Sequence, residues 1–139
     1  MGANGTAVLI IVKGRPVPKQ RPRFNGRHAY TPAKTVAQEK LIRDTYLAEC
    51  GKVLEGPIEA EYEFVYEPPK SWSKKRRAEA MGQPMLTTPD TDNLIKLVQD
   101  ALNTAAYTDD NQIYRITSRN VYGPEAMTII RLREAKENG

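Results

Sequence analysis

The amino-acid sequence predicts an α+β fold: one domain in which a mixed β-sheet carries two main helices on one face, in the order β-α-β-α-β-β. Three segments lead to that reading. Ile58 to Tyr66 alternates Ile58, Ala60, Tyr62, Phe64 and Tyr66 with Glu59, Glu61 and Glu63, the period of a half-exposed strand. Asn93 to about Thr104 sets Leu94, Leu97, Val98, Ala101 and Leu102 on one helical face. Thr6 to Val12 is a run of consecutive β-branched and apolar residues, as expected of a strand covered on both faces. With 139 residues the chain fits one domain, 1–139, with 1–5 and 134–139 expected as flexible ends.

The remaining elements follow in order. Lys13 to Thr31 is rich in Pro, Gly and Arg and reads as a long loop. Pro32 to about Glu49 turns helical, with Val36, Leu41, Ile42, Tyr46 and Leu47 as a partial apolar stripe and Pro32 suited to a first turn. Gly51 and Gly56-Pro57 separate this helix from the alternating strand, which Pro68-Pro69 stops. Ser71 to Gly82 reads as a short basic helix, and two strands, roughly Gln112 to Val121 and Met127 to Arg133, close the chain.

Charge is unevenly spread. Residues 1–50 hold nine Lys/Arg against three Asp/Glu, whereas the whole chain has 21 against 17. A basic first third points to a polyanionic partner. The single cysteine, Cys50, excludes an internal disulfide and suits a reducing compartment. The first apolar run is too short for a membrane span or a signal-peptide core, so a cytoplasmic protein without membrane contact is expected.

Against this background Asp90, Asp92, Asp100, Asp109, Asp110 and Lys96 fall within 21 positions. Clustered carboxylates are what divalent cations require, and Mg²⁺ completes its shell with water and phosphate oxygens. Asp92, Lys96 and Asp100, spaced four apart, stack on the helix face opposite the leucine stripe. The same residues also read as a helix cap at Asp90 or Asp92, surface ion pairs along the helix and a turn at Asp109-Asp110; spacing alone leaves both readings open. An EF-hand is excluded, because Ile95 stands where its loop needs Gly and the distal Glu is absent. No P-loop occurs, and one histidine, His28, offers no basis for a histidine-based site.

The string Pro89-Asp90-Thr91-Asp92-Asn93-Leu94-Ile95-Lys96, continued by Asp100-Ala101-Leu102 and Asp109-Asp110-Asn111-Gln112-Ile113, resembles the signature of the RusA family of Holliday junction resolvases. The opening is similar too: Gly14-Arg15-Pro16-Val17-Pro18-Lys19-Gln20-Arg21-Pro22-Arg23, then Tyr30-Thr31-Pro32, matches the pattern of many members, phage-borne ones especially. The resemblance spans roughly residues 8–133. It implies a homodimeric, Mg²⁺-dependent endonuclease (Mn²⁺ as substitute) that nicks four-way DNA junctions symmetrically and leaves 5′-phosphate ends. It further implies metal-binding and catalytic roles for Asp90, Asp92 and Asp110, an essential Lys96, and support from Asn93, Asp100 and Asp109, with Asp100 holding Lys96. Members often carry a lysine in the strand after the acidic pair, where this chain has Arg115, Arg119 and Asn120.

Branched DNA would then meet two basic segments. Lys13, Arg15, Lys19, Arg21, Arg23 and Arg27 lie in the proline-stiffened loop, with Phe24, His28 and Tyr30 interleaved; Lys74, Lys75, Arg76 and Arg77 form the second patch beside Trp72, which is expected to pack. A catalytically idle DNA-binding module, or a nuclease for flaps or forks, remain the alternatives.

Overall fold

The computed structural model describes residues 5–87 and 90–135; Pro89, which opens the acidic motif, and the outermost residues of both expected flexible ends lie outside them. A four-stranded sheet runs in the order β1 (Ala7–Lys13), β6 (Met127–Glu134), β4 (Ile58–Tyr66), β5 (Ile113–Tyr122). Neighbours are antiparallel except β4 and β5, which are parallel. Helices α1 (Ala33–Glu49) and α3 (Thr91–Leu102) cover one face, and the short α2 (Lys74–Ala80) buries no residue. The mixed α+β architecture is the expected one. No helix among the described residues is long and apolar enough to cross a membrane.

The core lies between the helices and the strand residues that face them. Ile10 and Val12, Ile130 and Leu132, Ile58, Tyr62 and Phe64 meet Ile42 and Tyr46 of α1 and Leu94, Leu97, Val98 and Leu102 of α3. Tyr46 also donates its hydroxyl to the Lys52 carbonyl, fixing the turn after α1. The opposite face of the sheet is open and carries charge. Strand register sets Glu59 between Arg133 and Arg115, and Glu63 beside Arg119, while Arg131 reaches Glu61 and Glu63.

Four expectations need correction. β1 is an edge strand covered on one face only: Leu9 is 55% exposed and Ile11 44%. On α1 only Ile42 and Tyr46 of the five stripe residues are buried, because the sheet is narrow and one line of contact suffices. The segment 13–31 is not wholly loop, since Arg23–Asn25 (β2) and His28–Tyr30 (β3) pair as a two-stranded ribbon. Its two-residue turn, Gly26-Arg27, has Gly26 at φ +65°, which glycine adopts without the clash a side chain would meet. Glu134, expected in the flexible end, completes β6.

The ribbon is anchored at its root by Lys19. The Lys19 ammonium lies 2.7 Å from Glu39 of α1 and 3.1 Å from Asp100 of α3, its backbone N–H donates to the Asn93 carbonyl at 2.8 Å, and the next N–H, of Gln20, donates to Thr35 Oγ1 at 3.2 Å. Burial works against the charged amine, but the two carboxylates prevail and its pKa is raised. Replacing Lys19 with Ala leaves two carboxylates facing each other without a cation. We expect a loss of about 1–2 kcal/mol in denaturant unfolding, the pair being partly screened by solvent; an unchanged midpoint would show that the clamp carries no stability. Glu134 closes the sheet's other end, accepting from Thr6 N–H at 2.8 Å and Glu55 N–H at 2.7 Å, bonds that hold its carboxyl below the ordinary 4.5. A lowered pKa gives stability that is present above the unfolded value and lost as pH falls through the folded one. Glu134→Gln should therefore melt below the wild type at pH 7, and the gap should close as the solution is acidified below about pH 4.5.

Candidate active site

Helix α3 exists because its five apolar side chains reach the core on one side. The side turned to solvent carries Asp92 and Lys96, both exposed, and neither forms an ion pair among the described residues. Asp90 occupies the N-cap position, yet its side chain bonds no backbone N–H. Its carbonyl takes the N–H groups of Asn93 and Leu94, each at 3.1 Å, and its carboxylate accepts the Asn93 side-chain amide. Two carboxylates and a lysine thus stand free of capping duty at the positive end of a helix, where negative charge is favoured.

The other acids are differently employed. Asp100 pairs with Lys19, so the expected Asp100–Lys96 contact is replaced by the clamp at the ribbon's root. Asp109 caps the 3₁₀ turn Asp110–Gln112: it accepts from Asn111 N–H at 2.9 Å, and Gln112 Oε1 accepts the Asp109 N–H at 3.1 Å. Asp110 has no such task. It is partly buried, and burial together with the charges of Asp109 and Asp100 raises its pKa. Beside it Tyr62, pushed up to about 12 chiefly by burial, keeps a buried hydroxyl without a hydrogen-bond partner.

Asp110 does not meet Asp90 and Asp92 within the chain. The charge neighbouring Asp110 on α3 is Asp100, eight residues beyond Asp92, or about 12 Å along the helix. Thr91, at the start of α3, instead accepts from Asn120 Nδ2 at 3.0 Å, near the far end of β5. Helix and strand therefore run side by side in opposite directions. Among the described residues no three acidic, His or Cys side chains converge closely enough to hold a metal ion.

The first basic segment reaches the start of α3, and the chain that follows the second passes Asn120, which bonds Thr91. The loop from Lys13 to Gln20 touches Asn93 through Lys19. The chain after α2 runs along β5, with Gly82 N–H bonded to Tyr122 O and Met85 N–H to Asn120 O, each at 2.9 Å. Arg21 is exposed just before the ribbon, Arg23 and Arg27 on it, and Lys74 and Lys75 on α2. Arg15 lies over the Tyr66 ring at 5.3 Å, Arg76 over Trp72 at 3.7 Å, and Lys13 is 3.8 Å from Glu125. Arg77 is half-buried, with its Nε unpaired. Lys19 departs from the expected role of a free cation, since two carboxylates enclose it. Trp72 packs edge-on to Tyr122 as expected.

Two features escaped the sequence reading. Asn120 faces α3 and ties down its first turn, whereas Arg115 and Arg119 project from the other face of β5 to Glu59 and Glu63; neither arginine can replace a lysine at the site. Ser118 Oγ and Asn120 Oδ1 are, like the Tyr62 hydroxyl, buried without partners, so the helix-facing side of β4 and β5 carries a line of unsatisfied polar atoms. Strand parity alone would have put Asn120 and Ser118 on the Tyr122 face, but only the crossover fixes which face α3 covers.

Comparison with known proteins agrees with the motif. The family model described as "Endodeoxyribonuclease RusA" matches residues 13–133. An uncharacterized Bacillus subtilis (strain 168) protein, YqaN, is 33% identical over 138 residues, covering 91% of this chain and 96% of the relative. The basic loop, the ribbon, α3 with its free acids and the Asp109-Asp110 turn all fall inside the matched region, and the chain belongs to the RusA endodeoxyribonuclease family.

Proposed function

We propose that the protein is a Mg²⁺-dependent, structure-selective endodeoxyribonuclease that resolves four-way DNA junctions by symmetric nicking, in recombination and repair in the cytoplasm. The observation that carries this reading is the start of α3. Asp90 and Asp92 present carboxylates released from capping, Lys96 stands one turn away, and the basic loop is bonded to Asn93, which follows Asp92. This edge is also the C-terminal end of the parallel pair β4/β5, the usual place for ligands in crossover folds.

An all-oxygen donor set fits Mg²⁺, which takes one or two carboxylates and leaves its other positions to water and phosphate oxygens; Mn²⁺ would substitute. Asp90 and Asp92 would hold the ion; Asp110, which lies apart from them within one chain, would serve as the third acid only where the second copy of the homodimer brings it to them. When bound, the ion would offset charge on the scissile phosphate and ease deprotonation of the attacking water. Water attacks phosphorus in line, the bond to the 3′ oxygen breaks, and a 5′-phosphate and a 3′-hydroxyl remain. Lys96 is the cation that meets the extra negative charge of the transition state. Asn93 fixes the Asp90 carboxylate, while Asp100 and Asp109 support the site through Lys19 and the turn before β5. The active form is a homodimer whose two sites cut opposing strands.

A second reading has an observation of its own. Asp100 and Asp109 are structural, and a DNA-binding protein without catalysis would extend that to the rest. The Asp92→Asn variant separates the two. With Mg²⁺ and a synthetic four-way junction, cleavage should fall about 10²- to 10³-fold, whereas affinity for the junction should stay within about threefold. If cleavage and affinity fall together, or wild type binds without cutting in any metal, the acids are not catalytic.

Affinity should also drop steeply with salt, with a slope of log K against log salt near −0.9 per phosphate contacted. A flat response would leave the basic loop and α2 without a DNA role.

A further inference from the structure

The ribbon β2–β3 has little to hold it in place on its own account. Six paired residues make no sheet contact beyond each other, and all six are exposed. A two-stranded ribbon in water is marginal without something to pack on. This one is nevertheless fixed at both ends, by the Lys19 clamp before it and by buried Pro32 at the cap of α1 after it. Register puts Arg23, Asn25, His28 and Tyr30 on one face and Phe24 with Ala29 on the other. Phe24 is 74% exposed. A benzyl group there is unfavourable in water, and residues 13–31 around it contain six Lys/Arg and no acid.

A stiff cationic ribbon carrying an uncovered aromatic ring matches one chemistry closely, unstacked bases beside phosphates. Arg21 before the ribbon and Arg27 at its turn would meet phosphates, and a base face offers the ring what water does not. A linear duplex keeps its bases stacked, whereas the crossover of a branched DNA exposes base-pair faces. The segment leading into the ribbon is bonded through Lys19 to Asn93, so the ribbon leaves the body of the protein on the side where α3 begins.

We propose that Phe24 is a stacking wedge that inserts against a base pair at the branch point and contributes to selection of branched over linear DNA. The proposal rests on the nuclease reading for its substrate, but it concerns binding and is tested without cleavage. Branch-specific affinity arises from the ring, and the arginines supply affinity for any DNA. Phe24 is too exposed for its replacement to disturb the fold.

The test is binding of the full chain, with Ca²⁺ in place of Mg²⁺, to a four-way junction carrying 2-aminopurine beside the crossover and to a linear duplex of the same sequence. Wild type should change the 2-aminopurine fluorescence on the junction. Phe24→Ala should lose that change and bind the junction roughly tenfold more weakly, in line with the loss of one base–aromatic stack, with duplex affinity altered less than twofold. Phe24→Trp should retain both properties. An unchanged fluorescence response and junction-to-duplex ratio in Phe24→Ala would overturn the wedge, as would a wild type that shows no preference for the junction. A shift of Phe24→Ala to a smaller species in light scattering would also overturn it, assigning the ring to contact with a second copy of the chain. If wild type cuts the junction with Mg²⁺ while Phe24→Ala binds and cuts equally well, the wedge falls and the nuclease stands. If wild type binds with the expected signal yet never cuts, the reverse holds.

Discussion

The parallel pairing of β4 with β5 governs much of what lies around it. Parallel neighbours cannot be joined by a tight turn, so the chain leaving Tyr66 must travel back across the sheet before it can begin Ile113. Helix α3 makes that return. Its start is therefore held at the strands' C-terminal edge, where Asn120 bonds Thr91, and its end is delivered to the opposite edge. The leucine stripe turns the free side outward, so the exposure of Asp92 and Lys96 follows from the burial of Leu94, Leu97 and Val98. The same route explains why Asp92 and Asp110, close in sequence, are separated in space: the helix runs one way between them and the strand must start from where the helix has ended.

Cations in this fold fall into two populations with different duties. Arg115, Arg119, Arg131 and Arg133 are spent against Glu59, Glu61 and Glu63 on the open face of the sheet. Those on the ribbon and on α2 have few acidic neighbours. A modest net charge of +4 thus conceals a local excess near the start of α3. Such a distribution draws a polyanion to one side of the molecule while the other stays close to neutral.

Most of the architecture was legible because local and global signals agree. The alternation in β4 and the stripe of α3 are strong, and both are met in the structure. β1 was misread because its outward residues are as apolar as its inward ones; periodicity cannot reveal a face that burial does not use. The ribbon was hidden by composition, with three-residue strands too short to show alternation among prolines and arginines. At the site, sequence placed Asp90, Asp92 and Lys96 on one exposed helix end, because helical spacing is local. It could not foresee that Lys19 would take Asp100, since 81 positions separate them and only the packing of α1 against α3 brings them together.

The double attachment of Lys19 has a mechanical consequence. One residue bonds α1 by its side chain and α3 by both side chain and backbone, and the ribbon begins three residues beyond the adjoining Gln20–Thr35 bond. Any pull on the ribbon's tip passes first through Gln20 to Thr35 in the first turn of α1, and then through Lys19 to Glu39 and to Asn93, the neighbour of Asp92. The ribbon then acts as a lever whose fulcrum lies between the first turns of α1 and α3. Its bearing is made of hydrogen bonds and ion pairs, which resist displacement more by direction than by bulk.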